Sequence, residues 1–197
     1  MNPRIIVTGI SGYIGGQTAL TLKDNGYEVY GIDRRPLPEH LREFENTFLL
    51  QDFSTNTALG WIAHNQPQAI IHCAGTSLVG PSIESPREYY QNNVVNTMVL
   101  LDYLLEHVPE ARFVFSSSAA VYGIPLLTPC QEVDPCDPIS PYGESKRMVE
   151  QMLISYNRAY KLDYVALRYF NACGADSKGR HGQEPGATHI IARVLES

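Results

Sequence analysis

"RIIVTGISGYIG", residues 4 to 15, is a β-branched run that breaks into Gly9, Gly12 and Gly15 and then into residues with helical spacing. A strand that turns so abruptly into a helix has three separate uses for glycine. One makes the tight turn, one lets backbone approach a pyrophosphate and one allows close helix packing, while the helix N-terminus supplies N–H groups and positive potential. The spacing is GxxGxxG, and a tight strand-to-helix connection also uses glycines without binding anything. The second strand decides between the two: "EVYGID" (28 to 33) ends in Asp33, where a carboxylate can accept from both ribose hydroxyls of an adenosine. Glycines, strand, helix and acid in register predict a dinucleotide site that includes Gly9, Gly12, Tyr13, Ile14, Gly15 and Asp33. Asp33 favours NAD over NADP because a carboxylate repels a 2′-phosphate, and Arg34 and Arg35 beside it keep the alternative open.

The alternation continues down the chain. Further strand-like runs are "FLLQD" (48 to 52), "AIIHCAG" (69 to 75), "RFVFSSS" (112 to 118) and "DYVALRY" (163 to 169), and helical spacing runs notably over 13–25, 87–107 and 142–160. Strands alternating with helices predict the α/β class with a doubly wound parallel sheet, Rossmann-like, and runs apolar on both faces suit buried strands. Ligands of such sheets sit beyond the carboxyl ends of the strands, which here present Asp52, His72 to Gly75 and Ser116 to Ser118. A Pro-rich stretch without period, 122–141, reads as a long functional loop that delivers the chain to the helix at Tyr142. From Asn171 the chain is glycine-rich and irregular, and it ends in a short apolar run that reads as a helix start.

Composition narrows the classes. The chain has 197 residues, 44% hydrophobic and 18% charged, enough for one sizeable core. Its net charge of −6, with 15 scattered Lys and Arg, leaves no footprint for nucleic acid. No apolar run approaches the roughly 20 residues that span a bilayer, and the N-terminus runs straight into a strand, so a cytoplasmic protein without membrane contact is the expectation. Cys73, Cys130, Cys136 and Cys173 lack the spacing of a zinc site or a redox pair, so they read as reduced thiols and no metal is expected.

Tyr142 and Lys146 in "SPYGESKRMVEQ" (140 to 151) lie one helical turn apart, an arrangement that an ordinary exposed pair also satisfies. Four ordered motifs, "TGISGYIG", "FSSSAAVYG", "SPYGESK" and "LRYFNACGAD", remove that ambiguity. Together they resemble the extended short-chain dehydrogenase/reductases, and within them the nucleotide-sugar 4-epimerases of the UDP-glucose 4-epimerase type. The likeness covers nearly the whole chain. It implies Tyr142 as catalytic base, Lys146 as its helper and Ser118 as the hydroxyl beside it. Tyr142 would take a proton from a sugar hydroxyl while the same carbon gives hydride to NAD, leaving a 4-keto sugar that receives the hydride back on its other face. A free tyrosine, with a pKa of about 10, is mostly protonated at neutral pH, so a neighbouring ammonium and a cationic nicotinamide are expected to lower it.

The resemblance implies more. Asp52 and Phe53 match positions that hold adenine, Ala74, Gly75 and Ser116 line the cofactor, and Asn93 matches a position that supports it. Phe170 lies near the nicotinamide and Asn171 near the nucleotide-sugar, so Ser118, Tyr142 and Asn171 are the candidate substrate contacts. The division this implies is an NAD-binding domain over 1–170 and the start of a substrate-binding region over 171–197. Partners implied are a nucleotide-sugar, a UDP-hexose in the first instance, and a second copy in a homodimer. Two departures stand out: Ser77 replaces a lysine often found after the "HxAG" strand end, and the chain stops at Ser197 where the family continues into a larger substrate lobe. On that reading the chain retains NAD more readily than it turns over a nucleotide-sugar. A 4,6-dehydratase is the nearest rival, but such enzymes resemble one another in an Asp-Glu pair where this chain has Ala119 and Ala120. An NADPH-consuming reductase and a non-catalytic cofactor-binding sensor are the other readings.

Overall fold

The computed structural model describes residues 2–125, 127–184, 186 and 190–196. Its contacts divide the chain into two compact units, one made of Met1–Ala74 with Phe170–Ser197 and one of Gly75–Tyr169.

The first unit is built on four parallel strands, β1 (Arg4–Thr8), β2 (Glu28–Asp33), β3 (Phe48–Leu50) and β4 (Ala69–His72), in the order β3-β2-β1-β4. The chain steps outward from β1 through β2 to β3, then returns to pair β4 on the other side of β1. That reversal is the doubly wound pattern, and it opens a crevice between the carboxyl ends of β1 and β4. Ile6 faces Tyr30 on one side and Ile70 on the other, and Ile6, Val7 and Ile70 are fully buried. Helix α1 (Tyr13–Asp24) carries the first crossover and buries Ala19 and Leu20 against Val7, Ile10, Leu41 and Phe44. A 3-10 segment, Glu39–Thr47, supplies Leu41 and Phe44 to that core. Helix α2 (Asn56–Asn65), which the sequence pattern does not single out, starts where Thr55 Oγ1 accepts from the Ala58 N–H at 3.2 Å and stops at Gln66 in the left-handed region.

The second unit carries the remaining parallel pair, β5 (Arg112–Ser118) and β6 (Tyr164–Tyr169), with Phe113 opposite Tyr164 and Ser117 opposite Arg168. Its helices are α3 (Val79–Glu84), α4 (Pro86–Tyr89), α5 (Asn96–His107) and α6 (Pro141–Tyr160). The single helix expected over 87–107 is interrupted by a π-helical turn, Tyr90–Val95, between α4 and α5. One extra residue in such a turn rotates the side chains beyond it, and here it sets Asn92 and Asn93 side by side on Thr76. Helix α6 begins as its sequence dictates: Ser140 Oγ accepts from the Gly143 N–H at 3.2 Å, Pro141 occupies the first turn and Glu144 lies in it as well. Its inward face buries Lys146, Val149, Glu150 and Leu153, and Phe113, Phe115, Leu100, Leu101 and Leu104 complete the core of this unit.

Helix α7 (Ile190–Glu196) realises the apolar run at the end of the chain. Contacts group Phe170–Ser197 with Met1–Ala74. Within the 171–197 region, Pro185, 187–189 and Ser197 lie outside the described residues.

Candidate active site

In the first unit the glycine loop is fixed by close backbone contact. Gly9 has a φ of +74°, donates its N–H to Ile32 O at 2.7 Å, and would place a Cβ 2.7 Å from the Ala74 nitrogen. A Cβ on Gly15 would run into the Gly9 carbonyl. No side chain can be added at either position without moving the main chain. Gly12 caps α1, and among the described residues no side chain hydrogen-bonds there and no acid occupies the first turn. The first N–H groups of α1, with their positive potential, are therefore left to an anion.

Asp33 serves the same loop. Its buried carboxylate accepts from the Ser11 N–H at 3.0 Å through Oδ2 and from the Arg35 N–H at 2.9 Å through Oδ1. Each carboxylate oxygen keeps further lone-pair capacity, which is what two ribose hydroxyls need. Arg35 Nε stands 3.6 Å from Oδ1 on a largely exposed side chain, and Arg34 is exposed. Asp52 Oδ1 accepts from the N–H and hydroxyl of Ser54 at 3.0 and 2.6 Å, while Phe53 is buried with its ring edge-on to His72 at 4.8 Å. Thr8, which sequence reasoning missed, bonds His72 Nδ1 at 2.8 Å and accepts from the Ala74 N–H at 3.3 Å, tying the end of β1 to the end of β4. The signal was available: a hydroxyl at the last strand position, directly before the first glycine. A cradle that any Cβ would fill, an uncapped helix start and a carboxylate with spare acceptors together fit a dinucleotide. Phe170 and Asn171 are exposed, and Tyr13 Oη donates to Gly174 O at 2.8 Å in the same stretch.

In the second unit the structure brings Ser118, Tyr142 and Lys146 together. Ser118 ends β5 with its hydroxyl near enough to the Tyr142 phenol to favour its ionised form, and its Oγ accepts from the Ala120 N–H at 3.2 Å. Lys146 is buried, donates Nζ to Ser116 O at 2.9 Å, and lies 4.8 Å over the Phe115 ring and 5.9 Å from the Tyr142 ring centre. Burial pushes the Tyr142 phenol above its usual range, and the Ser118 hydroxyl acts in the opposite direction. The Lys146 ammonium donates to the strand end, and burial is the larger influence on the phenol.

Asn93 uses its whole amide within the protein. Oδ1 accepts from the Thr76 N–H at 2.8 Å, and Nδ2 donates to Thr76 O and to Ser145 Oγ, each at 3.0 Å. It thereby clamps the chain just after Gly75, whose Cβ would stand 3.0 Å from Asn93 Oδ1 and 3.6 Å from Lys146 Nζ. Thr76 carries no motif of its own, and Ser145 lies inside "SPYGESK" with nothing local to mark it as a partner of Asn93. Among the described residues no group of three or more His, Cys, Asp or Glu is placed to hold a metal ion, and none of the four cysteines is in a disulfide.

The fold is that of a Rossmann-like α/β protein, and its second unit carries Ser118, Tyr142 and Lys146. The model of the NAD dependent epimerase/dehydratase family matches residues 5–197, and the chain belongs to that family. It is 43% identical to a UDP-glucose 4-epimerase of Halalkalibacterium halodurans over 98% of this chain and 58% of that protein. Among solved structures it is similar to UDP-glucose 4-epimerase from Brucella ovis in complex with NAD, with a TM-score of 0.91, 38% identity, and coverage of 98% of this chain and 60% of that one. The corresponding enzyme from Bifidobacterium longum, in complex with NAD+ and UDP, gives a TM-score of 0.86 at 34% identity over 93% of this chain and 58% of that one. The chain thus spans less than two thirds of the length of each of these relatives.

Proposed function

We propose that this chain carries the cofactor-holding and proton-transferring part of an NAD-dependent nucleotide-sugar 4-epimerase acting on UDP-glucose and UDP-galactose or a similar pair. The observation that carries the reading is Ser118 on the Tyr142 phenol, with Lys146 anchored to Ser116 O, in a chain whose glycine loop and Asp33 fit a dinucleotide. When bound, NAD accepts and returns a hydride, so the cofactor is regenerated in each cycle. In this reading Gly9, Gly12 to Gly15, Asp33, Asp52, Phe53 and Ala74 hold the adenosine and pyrophosphate half. Tyr142 takes the proton of the C4 hydroxyl, Ser118 fixes the oxygen it leaves, and Lys146 supplies positive charge near the ribose. The product of the first half-reaction is a 4-keto sugar.

Burial holds the half-buried Tyr142 phenol above its usual range, and positive charge beside it would act in the opposite direction. Asn171 is assigned to the sugar and residues 171–197 to the beginning of a substrate-binding region. Named relatives bound to NAD and UDP support the cofactor and the substrate class. Half-exposed Val95, Met98, Val99 and Met148, from the helical run Tyr90–His107 and from α6, are the surface assigned to a homodimer. Free cysteines and a family of nucleotide-sugar enzymes support the cytoplasm as its place of work, and no helix among the described residues is long and apolar enough to cross a membrane. The dehydratase reading is disfavoured because Ala119 and Ala120 in the turn after Ser118 offer no acid or base.

The test combines calorimetry with an epimerisation assay. NAD binds more tightly than NADP, and Tyr142→Phe keeps NAD affinity while lowering turnover by about 10²-fold or more. Absence of NAD binding, or undiminished turnover in Tyr142→Phe, overturns the reading.

A further inference from the structure

Three successive residues at the end of β5 each meet a different residue of α6. Ser116 O accepts from Lys146 Nζ at 2.9 Å, Ser117 Oγ donates to Glu150 Oε1 at 2.5 Å, and the Ser118 hydroxyl stands near the Tyr142 phenol. Positions 142, 146 and 150 are spaced four apart and share one helix face, so strand end and helix meet through three rungs. Two of those rungs are the proposed proton-transfer residues. The middle one, Ser117 with Glu150, has no part in the chemistry.

Glu150 is buried, and a buried carboxylate needs a partner of good geometry. Arg168 provides it from β6, where it is the direct ladder neighbour of Ser117. Its Nε donates to Oε1 at 3.0 Å and its Nη2 to Oε2 at 2.8 Å, a bidentate pair that fixes direction as well as distance. Its Nη1 donates to Tyr122 Oη at 2.9 Å and to Glu132 O at 3.1 Å, and the guanidinium lies 4.8 Å over the Tyr122 ring. Tyr122 closes the 3-10 turn just beyond Ser118. Arg168 therefore grips the chain on both sides of Ser118, through Glu150 and Ser117 before it and through Tyr122 after it.

We infer that Glu150 and Arg168 are positioning residues: as a pair they fix Ser117 and the turn after Ser118, and so hold the Ser118 hydroxyl at the Tyr142 phenol. The inference rests on the proposed function, and its first test reads geometry without turnover. An ion pair that serves only stability can be exchanged for apolar side chains of similar volume without further consequence. A positioning pair cannot.

The double variant Glu150→Leu with Arg168→Met removes both charges with little change in volume. Its readout is the titration of the Tyr142 ring, followed by NMR of ¹³Cζ-labelled tyrosine and assigned with Tyr142→Phe, with Ser118→Ala marking complete loss of the hydroxyl. The expected result is a folded protein with a thermal midpoint near wild type, in which the Tyr142 midpoint moves upward toward that of Ser118→Ala. Turnover falls by about 10- to 100-fold, the scale of a misplaced reacting group, with KM and NAD affinity unchanged. A folded double variant with the wild-type Tyr142 titration overturns the inference, whatever its stability. If the double variant does not fold, Ser117→Ala and Glu150→Gln must each shift the titration upward, and two unmoved titrations refute it. Should the wild-type chain bind no NAD, the functional reading fails while the titration still decides the positioning claim.

Discussion

In the first unit the groups that would face a ligand are mostly main-chain groups, whereas in the second they are side chains held by other side chains. The glycine loop works because Gly9 and Gly15 bring backbone against backbone, and its one charged residue, Asp33, is itself bound to backbone N–H groups. Around Tyr142 the position of each group depends on a network: Lys146 on Ser116, Ser117 on Glu150, Glu150 on Arg168, Asn93 on Thr76 and Ser145. A backbone cradle is specific for shape and tolerates nothing larger than hydrogen at a few positions. A side-chain network tolerates substitution better but transmits it, because each member sets the geometry of the next.

That contrast breaks most visibly at Gly15. Gly15→Val forces the loop away from the Gly9 carbonyl, and because the obstacle is backbone, the cost lies at or above the usual ~1–3 kcal/mol of overpacking. Calorimetry is expected to show NAD affinity reduced by about 100-fold or more, the equivalent of that energy. A variant that binds NAD normally would remove the loop from the site.

A smaller effect is expected from Asn93→Leu. The substitution leaves the Thr76 N–H without its acceptor, at about 1–3 kcal/mol, measured as a lower urea midpoint, while the Ser145 hydroxyl keeps its own bond to Tyr142 O at 2.7 Å. Asn93→Asp restores the acceptor for the Thr76 N–H but not the two donors, so it recovers part of the loss. If Asn93→Leu unfolds at the wild-type midpoint, the clamp contributes nothing and the second unit is held by its apolar core alone.

The same contrast explains what the sequence disclosed. Strands β1 to β6, the glycine loop and the start of α6 were legible because their causes are local: β-branched runs, glycine spacing, and a Ser-Pro pair ahead of a helical period. Strand ends came out shorter at β3 and β4, where Gln51 and Cys73 leave the ladder. Ser118, Tyr142 and Lys146 needed a family resemblance, since a Tyr and a Lys four apart carry no signal of the serine that meets them. Glu150 and Arg168 sit in the sequence without a visible task, because nothing local says that Arg168 lies beside Ser117 in the ladder. The π-helical turn was hidden for a similar reason: apolar periodicity continues through it, and only the bonds of Asn92 and Asn93 to Thr76 show why the helix is broken there.

The smallest effect tests how the stretch from Phe170 onward is joined to the first unit. Asp24 at the end of α1 accepts from Arg180 Nη2 at 2.7 Å and Lys178 Nζ at 2.8 Å, and Arg180 also binds Asp176. Those bonds, led by Arg180, pull the Asp24 carboxyl down to about 2 and hold Asp176 well below the ordinary carboxylate range. A carboxyl depressed in the folded state is protonated first in the unfolded chain as pH falls. Its contribution is therefore complete above an unfolded value of about 4 and is lost as pH drops toward 2. Lys178 is mostly exposed, so the contribution is small and weakened by salt. Urea unfolding of Asp24→Asn is expected to show a small, constant deficit against wild type from pH 7 to 5 that narrows from 4 downward. A deficit unchanged at pH 3 would assign the attachment to the other contacts of this stretch, His181 with Tyr13 O at 2.8 Å and with His40 at 2.9 Å, and would make the join a matter of buried ring packing instead of surface charge.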